Sequence, residues 1–497
     1  MTKSGGIATR RLRSLCGTYC NRYFMGRKSQ QLPLLENIRI SDAGAEGMAV
    51  AKVDGLVVFV PFVVPGDIVD VQLYKKKKNY AEGRAVRIRQ ASPLRTEPVC
   101  PHFGVCGGCK WQTTKYEAQL EAKERQVRDN LERLGGIDCS GMRPICGSDN
   151  IYYYRNKLEF TFSTKAWRTD LSEQSPDTWG ALGFHIPQLF DKVLPIEHCA
   201  LQPEPSNKIR RAVRDYAVEH GLECYDIRNH TGYLRNLIIR CSSTGEWMVI
   251  VVIADADTSR LIPLLEMLKA QFPEITSLNY VVNLKLNDSY SDLQVHNYAG
   301  KQHIEEVMSG YNGSRDLHFI INPKSFYQTN SAQAQRLYSF VTEMADPKPQ
   351  DTLYDLYTGT GTIALFLADK VEKVVGIEYV EEAVADARVN AKLNGFGNTA
   401  FFSGDMAKVL TEEFIAANGK PDIVVTDPPR AGMHEKVIDQ LLNISPRKIV
   451  YVSCNPATQA RDLSLLNDKY DVRRIQPVDM FPHTQHVENI AELVIRQ

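Results

Sequence analysis

The feature that most limits the fold of this chain is a regular alternation of short apolar β runs and helical segments over residues 326–497. Runs such as Lys373–Ile377 and Lys448–Ser453 are each followed by a longer stretch with helical character. Strands that alternate with helices form parallel sheets with helices on both faces. The sequence therefore predicts a doubly wound α/β sheet at the C-terminal end of the chain.

Residues 32–92 follow a different pattern, in which closely spaced β runs are separated by turns such as Pro65-Gly66-Asp67. This pattern predicts a small antiparallel β-barrel of the OB type, a fold that commonly binds nucleic acid. Four consecutive lysines, Lys75–Lys78, lie between Tyr74 and Tyr80. They suit contacts with phosphates beside stacking rings, although a lysine run can also be an ordinary solvated loop.

Three cysteines, Cys100, Cys106 and Cys109, fall within ten residues on a loop that contains glycine and proline. A zinc or iron–sulfur site with four thiolates needs one more ligand, and Cys199 is the best candidate. The spacing is not that of paired CxxC zinc ribbons, which favours iron–sulfur over zinc; chance clustering is the remaining alternative. Around these cysteines, residues 93–325 mix strand and helix patterns and predict an α+β domain.

Composition excludes several classes of protein. The chain has 497 residues, 43% of them hydrophobic, which excludes wholesale disorder. Its longest nearly apolar run, residues 55–66, contains two prolines and is too short to span a membrane. Eleven cysteines are too few for a disulfide scaffold. We therefore expect a cytoplasmic, multidomain protein.

Net charge is zero, but its distribution is uneven. Residues 326–497 contain 17 Lys and Arg against 23 Asp and Glu, so the first 325 residues are basic by the same margin. This asymmetry weakly favours an anionic partner for the N-terminal part. Residues 1–31 are basic and lack the apolar core of a secretory signal. They can be interpreted as a disordered tail, an RNA-binding arm, a transit peptide, or translated sequence upstream of a true start at Met25.

A glycine-containing turn follows the first strand of the C-terminal sheet, in the sequence Tyr357-Thr-Gly359-Thr-Gly361-Thr362. Such glycines let a ligand approach the backbone, although Gly-x-Gly alone is also found in nicotinamide enzymes. The next strand ends at Glu378, where a carboxylate can accept both hydroxyls of a ribose. This arrangement resembles the S-adenosylmethionine site of class I methyltransferases. The resemblance implies that Asp405, at the end of a further strand, contacts adenine.

Three further groups follow later strands of the same predicted sheet: Asp427-Pro428-Pro429-Arg430, Cys454 and Glu488. In open sheets, ligands bind beyond the carboxyl ends of the strands, so these groups should face the reaction. C5 of uracil takes a methyl group only after a thiolate has added to C6, and a base must then remove the C5 proton. Cys454 suits the nucleophile and Glu488 the base, and Asp427 suits a hydrogen bond to the pyrimidine edge.

Together these motifs resemble the RNA 5-methyluridine methyltransferases of the RumA/TrmA class, in the branch with a TRAM domain and an iron–sulfur cluster. The resemblance covers residues 32–497. It implies catalytic roles for Cys454 and Glu488. It implies a 4Fe–4S cluster on Cys100, Cys106, Cys109 and Cys199, and S-adenosylmethionine contacts at Gln328, Tyr357, Thr362, Glu378, Asp427 and, less closely matched, Asp405. Thr362 stands where many relatives have Asn.

The sequence thus predicts four segments in a multidomain α/β protein. These are a basic tail (1–31), a TRAM-type OB-like barrel (32–92), a central α+β domain with the cluster (93–325) and a class I methyltransferase domain (326–497). The expected reaction is S-adenosylmethionine-dependent methylation of uridine C5 in RNA by a monomer, with 23S ribosomal RNA favoured over the transfer RNA T-loop. Cytosine-C5 methylation and a non-catalytic RNA-binding or assembly factor are the alternatives.

Overall fold

The computed structural model describes residues 32–168 and 179–496, so the predicted tail (1–31) lies outside the described residues. The strands are β1 (Leu34–Arg39), β2 (Asp42–Ala43), β3 (Ala49–Val53), β4 (Leu56–Val60), β5 (Ile68–Lys76), β6 (Tyr80–Gln90), β7 (Lys157–Ser163), β8 (Ala181–Ile186), β9 (Leu189–Pro195), β10 (Leu234–Cys241), β11 (Trp247–Ile253), β12 (Ile275–Val282), β13 (Val295–Gly300), β14 (Ile304–Ser309), β15 (Asp316–Ile321), β16 (Thr352–Leu356), β17 (Lys373–Glu378), β18 (Thr399–Ser403), β19 (Ile423–Thr426), β20 (Lys448–Ser453), β21 (Tyr470–Val478) and β22 (Glu488–Ile495). The α-helices are α1 (Tyr116–Gly135), α2 (Ser206–Glu219), α3 (Ile262–Gln271), α4 (Ser331–Ala345), α5 (Thr362–Leu367), α6 (Glu381–Leu393), α7 (Met406–Val409), α8 (Glu412–Asn418), α9 (Glu435–Ile444) and α10 (Pro456–Leu466).

The chain forms two compact units, each built from segments that are not contiguous in sequence. The first unit comprises the residues up to Ala122, Ser163–His198 and His483–Gln485. The second comprises Lys123–Phe162, Cys199–Pro482 and the residues from His486 onward. The domain limits expected from the sequence, at residues 92 and 325, stay predictions.

In the first unit, β1–β6 form a six-stranded sheet in the order β1-β5-β6-β4-β3-β2. All its pairs are antiparallel except β4 with β6. Alternate residues of the strands, such as Val58, Val60, Val69 and Val71, are buried in one apolar core. This confirms the predicted small β-barrel. Strand β5 includes the first two residues of the lysine run, Lys75 and Lys76.

The second unit contains a central sheet of β13-β12-β11-β10-β7, the hairpin β14–β15, and a C-terminal sheet of seven strands. The order in the C-terminal sheet is β18-β17-β16-β19-β20-β22-β21. Its first five strands are mutually parallel, and the residues of β19 and β20 are all buried, as expected for a sheet covered on both faces. The predicted doubly wound sheet is therefore confirmed.

The last two strands of this sheet form an antiparallel hairpin, and β22 also runs antiparallel to β20. The first residue of β22 therefore lies at the edge where the parallel strands end. We call this the carboxyl edge: the C-terminal ends of β16, β17, β19 and β20 and the N-terminal end of β22. Among the helices of the described residues, none combines the length and the apolar character that crossing a lipid bilayer requires.

Candidate active site at the carboxyl edge

Cys454 occupies the turn between the fully buried strand β20 and helix α10. Its neighbours fix that turn, because the Asn455 amide N–H donates to Ser453 Oγ (3.1 Å) and Asn455 Oδ1 caps the helix by accepting the Ala457 N–H (3.1 Å). The thiol itself is half-buried. A cysteine held in this way presents its sulfur at the carboxyl edge with little freedom to move.

Two carboxylates lie beside this thiol. Glu488 is 5% exposed and begins β22, whose next residue, Asn489, pairs with Ser453 of β20. Asp427 follows β19, the parallel neighbour of β20, and its amide donates to the Leu356 carbonyl (3.3 Å). The sheet therefore brings Cys454, Glu488 and Asp427 together, as the positions of their strands predict.

Burial makes all three of these acidic groups harder to ionise, and neighbouring carboxylates add to the effect for Cys454 and Glu488. Burial together with the charges of Glu488 and Asp427 raises the pKa of Cys454 to about 11. Burial raises the pKa of Asp427 to about 7, and burial with the Asp427 charge raises the pKa of Glu488 well above its ordinary value. The carboxyl edge is thus a buried acidic pocket in which negative charges oppose one another.

Arg430 is the positive charge that opposes these shifts. It lowers the pKa of both Cys454 and Glu488. Its backbone carbonyl accepts hydrogen bonds from Asn455 Nδ2 (3.1 Å) and Thr458 Oγ1 (3.1 Å). These bonds tie the Asp-Pro-Pro-Arg loop to the turn that carries the thiol. In the sequence, Arg430 is visible only as the last residue of the Asp-Pro-Pro-Arg motif, which by itself indicates no role for its side chain.

Three predicted cofactor residues, Tyr357, Thr362 and Glu378, lie at or close after the ends of β16 and β17, and the structure defines their local contacts. Both Glu378 oxygens accept backbone N–H groups, from Gly359 (3.1 Å), Tyr379 (2.8 Å) and Val380 (2.9 Å). Tyr357 has a left-handed backbone (φ 63°), a strained conformation for a side chain of this size that is typical of functional sites. Thr362 Oγ1 hydrogen-bonds the Tyr338 hydroxyl (3.2 Å). The strand-to-helix turn is therefore rigid before any ligand binds.

The two remaining predicted cofactor residues are less enclosed. Asp405 is partly exposed and caps α7 by accepting the Ala407 N–H (3.1 Å). Gln328 is partly exposed, and its backbone carbonyl accepts a hydrogen bond from Asn156 Nδ2 (2.9 Å). The side-chain amide of Gln328 is a group that a ligand can use.

Asp355, on β16, is a carboxylate that the sequence analysis missed. It is fully buried, and its Oδ2 accepts hydrogen bonds from Thr358 Oγ1 (2.6 Å) and the Ala364 N–H (3.0 Å). Its Oδ1 has no hydrogen-bond partner among the described residues. Burial raises its pKa to about 7, with Asp427 and Glu378 adding to the shift. The carboxylates Asp355, Glu378, Asp427 and Glu488 suit a positively charged ligand. S-adenosylmethionine is such a ligand, because it carries a sulfonium and an ammonium group.

The loop cysteines are described within the first unit. Cys109 is buried and Cys100 and Cys106 are partly exposed, and none is in a disulfide. The Gly108 N–H donates to Cys106 Sγ (3.4 Å). Burial raises the pKa of Cys100, and the amides of His102 and Phe103 partly oppose that rise. Amide N–H groups directed at sulfurs favour thiolates, as in iron–sulfur loops, so the residues present fit such a group.

Cys199 lies in the second unit, where it is buried. Asn207 fixes its backbone by accepting the Cys199 N–H (2.8 Å) and donating to its carbonyl (3.2 Å). In the described part of the chain, no group of three or more His, Cys, Asp and Glu side chains is arranged to hold a single metal ion. The assignment of the four cysteines to a cluster therefore stays a prediction.

Comparison with known proteins identifies the same kind of enzyme. Residues 298–495 match the family described as tRNA (Uracil-5-)-methyltransferase, and residues 36–86 match the TRAM domain. An RNA methyltransferase of Bacteroides thetaiotaomicron that is itself uncharacterized is 54% identical over 91% of this chain and all of the relative. A similar protein of Porphyromonas gingivalis is 52% identical over 92% of this chain and 99% of the relative.

A solved structure extends the likeness to the fold of the whole enzyme. The Pyrococcus abyssi tRNA (uracil-54, C5)-methyltransferase, in complex with S-adenosyl-L-homocysteine, is 27% identical, with a TM-score of 0.70 over 92% of this chain and all of that chain. Both the predicted fold class and the predicted enzyme class are thereby confirmed. The chain belongs to the RNA uracil-5-methyltransferase family and is an S-adenosylmethionine-dependent enzyme of that family with an N-terminal TRAM domain.

Proposed function

We propose that this enzyme methylates C5 of one uridine in 23S ribosomal RNA, with Cys454 as nucleophile and Glu488 as general base. The observation that carries the mechanism is the meeting of Cys454, Glu488 and Asp427 at one sheet edge, where the charge of Arg430 lowers the pKa of the thiol. When bound, S-adenosylmethionine supplies an activated methyl group on a cationic sulfur. The residues proposed to hold it are Gln328, Tyr357, Thr362, Glu378, Asp405 and Asp427.

The first chemical task is to form a thiolate. In the free enzyme the pKa of Cys454 is far above neutral, so the thiol is protonated until its surroundings change. Arg430 then stabilises the developing negative charge. Attack of the Cys454 sulfur on C6 forms an S–C6 bond and moves the C5=C6 electrons to the uracil carbonyl, which makes C5 nucleophilic enough to take the methyl group.

The second task is to remove a proton. Once C5 carries the methyl group, Glu488 accepts the C5 proton, the C–H electrons restore the C5=C6 bond, and the S–C6 bond breaks to release Cys454. Glu488 must be ionised for this step although burial raises its pKa. A bound cation favours the ionised form of a nearby carboxylate, so we expect Glu488 to become a base in the loaded enzyme. Asp427 is proposed to accept a hydrogen bond from the pyrimidine edge.

Substrate choice rests on separate observations. The TRAM match and the loop cysteines favour ribosomal RNA. A specific observation favours transfer RNA instead: the solved relative acts on uracil-54 of a tRNA, and the likeness covers all of that chain. We place ribosomal RNA first and transfer RNA second. The predictions of a monomer and of a cytoplasmic location stay predictions.

In the test, the protein is purified and kept without oxygen. It is incubated with methyl-labelled S-adenosylmethionine and either unmodified large-subunit ribosomal RNA or unmodified transfer RNA, and the RNA is then digested to nucleosides. Label in 5-methyluridine from ribosomal RNA is the expected result. Label from transfer RNA alone overturns the substrate choice and keeps the chemistry. Label in 5-methylcytidine, or none, overturns the proposed reaction, and the Cys454→Ala variant is the matched negative control.

We also propose a 4Fe–4S cluster held by Cys100, Cys106, Cys109 and Cys199. No step above needs an electron, so its proposed role is to support structure or RNA docking. Iron and sulfide analysis of protein prepared without oxygen tests its presence. A Cys106→Ser variant that lacks the cluster, folds, binds RNA and methylates as the unmodified protein does would contradict that role.

A further inference from the structure

The segment Asp479–Pro482 follows β21 and is held by an unusual set of hydrogen bonds. Each of its four consecutive backbone carbonyls accepts a hydrogen bond from a side chain of a different residue. The donors are Gln333 Nε2 to Asp479 O (2.9 Å), Asn330 Nδ2 to Met480 O (3.1 Å), Lys123 Nζ to Phe481 O (3.0 Å) and Tyr154 OH to Pro482 O (3.0 Å). We call Asp479–Pro482 the pinned segment. Irregular backbone held at every carbonyl has little freedom to move.

A buried ion pair is part of the same arrangement. Lys123 Nζ lies 2.6 Å from Asp479 Oδ1, and both side chains are 0% exposed. The same Asp479 oxygen accepts the Phe481 N–H (3.0 Å). Burying two charged groups costs several kcal/mol of solvation free energy per ion. A protein with a well-packed apolar pair in place of a buried ion pair is often at least as stable. Stability alone therefore does not explain why Lys123 and Asp479 are buried together. A need to hold the pinned segment in one conformation does explain it.

The strand register connects the pinned segment to Glu488. In the β21–β22 hairpin, Glu488 pairs with Val478, the residue directly before Asp479. On its other side, β22 pairs with β20 so that Asn489 lies opposite Ser453, the residue before Cys454. The pinned segment thus begins next to the residue that holds the Glu488 backbone. A shift in this part of the hairpin would move the Glu488 carboxylate relative to Cys454.

We propose that Lys123 is a positioning residue for the proton-removal step, which it serves by fixing the pinned segment and through it Glu488. This inference rests on the proposed function, in which Glu488 accepts the C5 proton. If the carboxylate is displaced, the S–C6 bond still forms and C5 still receives its methyl group, but the C5 proton leaves slowly. The methylated RNA then stays covalently bonded to Cys454.

The test uses the full-length double variant Lys123→Met/Asp479→Asn with methyl-labelled S-adenosylmethionine and the RNA that the enzyme accepts. Removing both charges together avoids leaving one of them buried and unpaired. We expect kcat to fall by about tenfold or more, since small misplacements of catalytic groups cost this much, while KM for RNA changes by less than about twofold. We also expect a labelled enzyme–RNA adduct on a denaturing gel, severalfold above that of the unmodified enzyme.

A milder variant keeps the inference testable if the double variant does not fold. Tyr154→Phe removes only the hydroxyl that donates to Pro482 O, and it should raise the adduct in the same direction by less. Its matched control is Tyr470→Phe, which removes another buried hydroxyl, one that donates to Pro446 O (2.9 Å) at the far end of β21. The control should not raise the adduct.

Glu488→Gln distinguishes failure of this inference from failure of the proposed mechanism. If Glu488→Gln accumulates the adduct but folded Lys123→Met/Asp479→Asn and Tyr154→Phe do not, Lys123 does not position the base. If Glu488→Gln also forms no adduct, the proposed role of Glu488 fails first. If the double variant shows only a raised KM for RNA and no adduct, the ion pair has a structural role alone. That result would also overturn the inference.

Discussion

The lysine run of the barrel and the carboxyl edge of the C-terminal sheet both concentrate charge, but they do so in opposite environments. Lys76–Lys78 are exposed, and Lys75 bonds Glu82 (2.5 Å) beside the Tyr80 ring. At the carboxyl edge, Glu488 is buried and Asp427 is partly buried, and both raise the pKa of the Cys454 thiol.

Burial, rather than the number of charges, therefore decides how strongly a charged group depends on its particular neighbours. Exposed charges are screened by water and salt, so each contributes little and one lysine can replace another. Buried charges interact strongly, so that changing one alters the protonation of its neighbours. The effects of substitutions in the two regions should therefore differ in magnitude, in salt dependence and in pH dependence.

The largest effect is expected from Cys454→Ala. Without the sulfur no S–C6 bond forms and C5 stays unreactive, so turnover should fall by on the order of 10⁴-fold or more. Affinity for S-adenosylhomocysteine, measured by calorimetry, should stay within about twofold, because the proposed contacts to the cofactor are untouched. Cys454→Ala that methylates at a measurable fraction of the normal rate would contradict the role of the thiol.

Asp67→Ala tests whether burial matters in the barrel as it does at the carboxyl edge. Asp67 is 0% exposed and bonds Arg95 through both carboxylate oxygens, at 2.8 Å and 2.7 Å, while accepting the N–H groups of Val64 and Ser92. Removing one partner of such a pair costs about 3–5 kcal/mol in free energy of unfolding, which chemical denaturation measures. Glu82→Ala, which breaks the solvent-facing pair with Lys75, should cause a much smaller fall. Equal losses of stability in the two variants would show that burial does not set the strength of charge pairs in the barrel.

A third prediction concerns Lys75–Lys78, all replaced by Gln. If they meet RNA phosphates, RNA affinity at low salt should fall by about 10- to 100-fold, and the slope of log affinity against log salt should decrease by up to about 3. At saturating RNA, kcat should not change, because none of these groups takes part in the proposed reaction. Replacement of all four by Arg, which keeps the charge, should retain affinity. A kcat effect without a salt effect would contradict a simple phosphate-binding role.

Much of the fold and of the site could be predicted because the relevant signals are local. The strand limits of β18 and β20 and the positions of Cys454 and Asp427 follow from apolar runs that end at polar motifs. In a parallel sheet, the end of a strand is also a position in space, so motifs far apart in sequence can be placed at one edge. The antiparallel turn of β21 and β22 carries no comparable signal, and it is what makes Glu488 the first residue of a strand.

The features that sequence reasoning missed depend on contacts between distant segments. Asp355 has an ordinary position within a β run, and only its burial and unpartnered oxygen distinguish it. Lys123 lies in the helix Tyr116–Gly135, where a lysine normally faces solvent, yet it pairs with Asp479 more than 350 positions later in the chain. A single sequence contains no signal for such a pair. The one available hint for Arg430 was its place in the Asp-Pro-Pro-Arg motif.

The smallest effect is expected from Arg430→Met, and it is read as a shift in the pKa of Cys454. Because the positive charge of Arg430 lowers that pKa, its loss should raise the pKa above about 11. A rise of up to about one unit would slow alkylation of Cys454 by iodoacetamide up to about tenfold at a pH below the pKa, as followed by mass spectrometry of the Cys454 peptide. Asp427→Asn should act in the opposite direction, because it removes a charge that raises the pKa of the thiol. If both variants slow alkylation, the thiol responds to altered packing rather than to charge, and the contrast between buried and exposed charges loses its support at this site.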